Sequence, residues 1–168
     1  VIIAVLGTIF CVTTAFDLVV NPVILLLVTV IAALLFTTCF LWKKALWLLL
    51  PLGAVVILMG VFTSVFASVG PSLQQLLHDI LTRFSSAYPN FSFAIPPEPT
   101  AYVSKDFTLL FSILAILLSV WMAWGVGYRS FLISVAGALP FLLLCVVIND
   151  TPPHVAPLVM LLSAWITV

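Results

Sequence analysis

FTLLFSILAILLSVWMAWGVGY, residues 107–128, is followed after the single Arg129 by SFLISVAGALPFLLLCVVI, residues 130–148. Neither run holds a charged residue. A helix rises about 1.5 Å per residue, so about 20 apolar residues cross a hydrocarbon core about 30 Å thick. Each run meets that length. Outward from this pair, Leu18 to Trp42 and Ala45 to Val69 are two more runs of the same kind, parted only by Lys43 and Lys44. Shorter apolar runs at Val1 to Phe16 and Val155 to Val168 would extend only about 21 to 24 Å. They read as cut helices, and the chain as a piece of a longer protein, with no starting Met, charged flank or cleavage-site pattern at its ends. The expected fold is all-α: a polytopic membrane helix bundle of about six transmembrane helices, the first and last truncated, with one outer amphipathic helix, in a single domain over residues 1–168.

Composition agrees with a lipid environment. Hydrophobic residues make up 65% of the chain and charged residues 6%, whereas about a quarter of a soluble domain is charged. The formal net charge is zero, and no cluster of Lys and Arg stands ready for phosphates. Nucleic acid is thereby excluded as a partner, and the lipid bilayer is the expected one. Cys11, Cys39 and Cys145 each lie inside a hydrophobic run without metal or disulfide spacing, and read as small buried hydrophobes.

Basic residues collect on the cytoplasmic side of membrane helices. Lys43 and Lys44 place one turn inside and Arg129, with residues 126–129, another. Asp17 to Pro22, Gly70 to Asp106 and Asn149 to Pro153 then fall outside. The implied location is integral to a cell membrane. Trp42, Trp47, Trp124 and Tyr128 flank the basic loops, where amphipathic rings favour the headgroup region. Asn21 before Pro22 reads as a helix cap followed by a residue that needs no amide partner, and Asp150 and Thr151 before Pro152 and Pro153 repeat the pattern. Pro51 and Pro140 fall inside helices and predict kinks. Gly60, Ser64 and Ser68, and again Ser130, Ser134 and Ala138, stand four apart on one helix face, the spacing of a packing seam in lipid.

Residues 70–106 depart from the pattern. Leu73, Leu76, Leu77, Ile80, Leu81 and Phe84 recur at helical spacing, with Gln74, Gln75, His78, Asp79, Thr82 and Arg83 between them. An amphipathic helix follows, started by the capping-box pair Ser72 and Gln75 and lying in the outer interface or over the bundle. His78, Asp79 and Arg83 share its polar side; with no nucleophile beside them, Asp79 and Arg83 read as a surface ion pair four residues apart. Beyond Ser85, the aromatics Tyr88, Phe91 and Phe93 sit among Pro89, Pro96, Pro97 and Pro99, which favours an extended course. Asn90-Phe91-Ser92 and Asn149-Asp150-Thr151 match the glycosylation sequon.

No ionisable residue stands in the middle of a span, where proton relays and ion sites are built. No phosphate-binding glycine loop, metal-spaced His or Cys cluster or nucleophile elbow is present. The expected catalytic, cofactor-binding and metal residues are therefore none, and no cofactor is expected.

The passage Leu139-Pro140-Phe141-Leu142-Leu143-Leu144-Cys145, running into Val147-Ile148-Asn149-Asp150-Thr151-Pro152-Pro153 and then Pro157-Leu158, resembles the membrane-embedded N-terminal region of bacterial transglutaminase-like membrane proteins. There a helix ends at an Asp-Thr-Pro-Pro-type turn and another begins. The resemblance covers about the last third of the chain. It implies a helical bundle followed by an extracytoplasmic papain-like transglutaminase domain in the same chain, whose Cys, His and Asp triad belongs to the soluble part, so no residue here inherits those roles. The implied task is to anchor and orient a transglutaminase- or protease-like domain of the bacterial envelope. Two other readings stand beside it: part of a permease or lipid-handling transporter, marked by further helices with intramembrane polar residues, and an integral membrane transferase for lipid-linked substrates, in which His78 and Asp79 would act.

Overall fold

The structure, a computed structural model, describes residues 1–41, 53, 65–90, 94–95, 107–128, 130–148 and 155–166. Among them every extended element is helical: α1 (Ile2–Ala15), α2 (Pro22–Leu41), α3 (Val65–Ala87), α4 (Thr108–Gly127), α5 (Phe131–Ile148) and α6 (Val155–Ile166). The fold class is all-α, as the sequence implied. Helices α4 and α5 begin and end within a residue of the apolar runs that announced them, because the flanking polar residues end the favourable apolar burial.

Helix α1 lies at the centre, with α2, α4, α5 and α6 packed on it. Val5 and Ile9 are fully buried, and Ala4, Leu6, Cys11, Val12 and Ala15 nearly so. Around them Leu25, Phe111, Ala115, Met122, Ala138 and Leu161 complete the core. The close approach of α1 and α6 rests on Gly7, where a Cβ would lie 2.9 Å from the Leu161 backbone nitrogen. Small residues at a crossing let two backbones approach this closely.

The C-terminus of α1 closes in a Schellman motif. Leu18 N–H donates to Thr13 O at 2.9 Å, across Asp17 in the left-handed region at φ 53. Asp tolerates that conformation better than most residues with a side chain. The next helix starts as expected: Asn21 Oδ1 accepts from Val23 N–H at 3.1 Å and from Ile24 N–H at 3.4 Å, with Pro22 in the first turn.

Helices α2 and α4 make the most extensive contact in the bundle and run parallel. At their starts Asn21 N–H donates to Thr108 Oγ1 at 2.7 Å and Phe107 N–H to Val19 O at 3.1 Å; at their ends a Cβ on Gly127 would touch Phe40 at 3.4 Å. Segments 17–22, 88–90 and the end of α5 gather at one end of the bundle, because Arg83 reaches Phe16 O and Tyr88 Oη donates to Val147 O at 3.2 Å.

The expected packing seam of Ser130, Ser134 and Ala138 is present between α4 and α5. Ser134 and Ala138 are buried, Ser130 N–H donates to Gly125 O at 3.0 Å, and a Cβ on Gly125 would lie 2.5 Å from Ser134 Oγ. Gly137 serves the same contact, with the Trp121 ring where its Cβ would be. Gly60 and Ser64, the side chain of Ser68, Pro51 and the Asp150 to Pro153 turn lie outside the described residues.

Three expectations change. The six-span bundle is met only in its helical character: among the described residues, α2, over Pro22–Phe40, and α4, over Thr108–Gly127, are long and apolar enough to cross a membrane, whereas Ile2–Ala15, Leu132–Val147 and Val155–Ala164 are apolar but shorter. Most of the Ala45 to Val69 run lies outside the described residues. Secondly, α3 does not start at Ser72; it runs from Val65 through Pro71. Continuing the helix keeps the backbone groups before Pro71 within helical geometry, which outweighs a side-chain cap worth about 1 kcal/mol and the one bond that Pro71 removes. Gln75 Oε1, the other half of the expected capping box, is buried without a hydrogen-bond partner. Thirdly, the apolar stripe of α3 is narrower than its sequence: Leu76 and Ile80 pack against the core, but Leu73 and Leu77 are each 45% exposed.

Gly7→Ala is expected to lower stability by about 1 to 3 kcal/mol, because the added methyl meets backbone that cannot rotate aside. Gly70→Ala meets nothing within 4 Å and, in a helix, should be neutral or raise stability by up to about 1 kcal/mol. Thermal unfolding in detergent separates the two, and equal melting temperatures would contradict the α1–α6 crossing.

Candidate functional site

The polar chemistry of the described residues concentrates where α3 leans over the end of the bundle, against α4 and α5. Thr82 Oγ1 donates to His78 O at 2.7 Å, Ser85 Oγ to Thr82 O at 2.9 Å and Ser86 Oγ to Arg83 O at 2.7 Å. These three hydroxyls are thus committed to carbonyls of their own helix. His78 and Asp79 are half-buried on α3.

Arg83 does something the sequence spacing did not indicate. Its guanidinium crosses to α1, where Nη2 donates to Phe16 O at 3.4 Å and Cζ stands 5.6 Å from the centre of the Phe16 ring. Phe16 is the C-cap of α1. A cation there meets the partial negative charge of the helix end and the face of an aromatic ring together. In place of the surface ion pair expected between Asp79 and Arg83, the guanidinium makes this cross-helix contact, where a helix terminus and a ring both favour a cation. One turn further, the Phe84 and Tyr88 rings lie 4.9 Å apart, and Tyr88 Oη reaches Val147 O. The end of α3 is therefore tied to both α1 and α5.

At the opposite end, Trp121, Trp124 and Tyr128 form an edge-to-face ladder along α4, with centroids 5.6 Å and 6.0 Å apart. All three are exposed. Trp124 and Tyr128 were legible as interface residues beside Arg129; Trp121 was not, although it stands one helical turn before Trp124. Its indole N–H donates to Ile133 O at 2.8 Å, joining α4 to α5. Beside it, an open apolar groove of about 270 Å³ is lined by Leu114, Leu117, Leu118, Trp121, Gly137 and Phe141 among others.

Among the described residues no group of three or more His, Cys, Asp and Glu could hold a metal ion. Cys11 and Cys145 are buried, Cys39 is half-buried, and all three are free thiols. Buried hydroxyls are mostly satisfied within their own helices, as with Thr8 Oγ1 to Ala4 O at 2.8 Å and Thr29 Oγ1 to Leu25 O at 2.7 Å. Ser119 Oγ and Ser134 Oγ, buried in the helix contacts of α4 and α5, have no partner. No known protein family, curated protein or solved structure matches this chain.

Two substitutions test the docking of α3. Leu76→Asp and Ile80→Asp are each expected to lower stability by more than about 2 kcal/mol, and Leu77→Asp by less than about 1. Thermal unfolding that ranks Leu77→Asp with the other two would show that α3 is rotated from its described face. Arg83→Met should lose about 0.5 to 1 kcal/mol through the helix end and the ring, whereas Asp79→Asn should change stability by less than half of that.

Proposed function

We propose that this chain is a membrane-embedded helical scaffold that anchors and orients an extracytoplasmic transglutaminase- or protease-like domain of a bacterial envelope protein. The observation that carries the membrane part is the outward display of apolar side chains. Val23, Ile24, Leu26, Leu27, Ile31 and Leu34 of α2 are each about half exposed or more. Apolar patches of such extent are rare on soluble monomers, since each Å² withdrawn from water is worth about 25 cal/mol. A bilayer removes that penalty. The inward-turned hydroxyls and the exposed aromatic ladder of α4 fit the same setting, the latter as rings that favour the headgroup level.

Anchoring rather than chemistry is supported by what the bundle offers. Its centre is filled by α1 with aliphatic side chains, and its polar end is committed to structural contacts through Arg83 and Tyr88. A helix fixed on two neighbours, with Leu73 and Leu77 exposed, makes a rigid platform on the outer face. The resemblance of residues 139–158 to the transglutaminase-like membrane proteins supplies the identity of the domain it would carry.

The arrangement predicts topology. With Ser86→Cys and Lys44→Cys introduced singly, a membrane-impermeant maleimide should label Ser86→Cys in intact cells and Lys44→Cys only after permeabilisation, while the protein stays in the membrane through an alkaline wash. Release by the wash would refute the membrane reading; reversed labelling would refute the orientation. The anchoring role is tested on the full-length parent. A papain-like domain with Cys, His and Asp in that order, labelled from outside by a thiol-reactive amide substrate analogue, is the expected result. Further helices with buried charges and no such domain would overturn it in favour of transport.

A further inference from the structure

We draw no further inference here: the strongest candidate, the open groove between α4 and α5 lined by Leu114, Leu117, Trp121, Gly137 and Phe141, is an unpartnered apolar surface, and nothing in the structure shows what covers it.

Discussion

Burial of α1 is the constraint on which the rest depends. A helix so nearly enclosed must be met by neighbours on every side, and α2, α4, α5 and α6 supply them. Close packing at that centre needs small side chains where two backbones cross, which is why Gly7 faces Leu161. The helices around it are apolar on both faces, the one turned to α1 and the exposed one. This explains why α2 and α4 show little of the one-sided patterning of a surface helix in water.

The polar groups obey the same constraint. An unpaired donor in an apolar interior costs more than a hydrogen bond contributes, so hydroxyls such as those of Thr8 and Thr29 fold back on the preceding turn, with Ser119 and Ser134 the exceptions. The end of α1 illustrates this in full: the Schellman closure over Asp17 takes Thr13 O, and Arg83 covers Phe16 O from another helix. Asn21 begins α2 only a few residues later and also donates its own N–H to Thr108. One short segment thus fixes the end of α1, the start of α2 and the start of α4, and with them the parallel course of the two longest apolar helices.

Helix α3 converts this rigid end into a presented surface. Leu76 and Ile80 bind it to the core, Arg83 to the end of α1 and Tyr88 to the end of α5. Three attachments along one helix restrain tilt as well as position.

The sequence by itself determined the all-helical class, the approximate ends of α2, α4 and α5, the Asn21 cap, and the burial of Ser134 and Ala138. These follow from local chemistry: apolar length, capping side chains and small residues four apart. It also named His78, Asp79 and Arg83, and placed them rightly on one helix. Tertiary structure alone decided that Arg83 serves α1 rather than Asp79, that Leu76 and Ile80 rather than Leu77 face the core, that Trp121 bonds to α5, and that α3 runs through Pro71. Each of these depends on which neighbour a face meets. A sequence repeating every three or four residues fixes a stripe on a helix, but only the partner helix fixes how much of that stripe is covered.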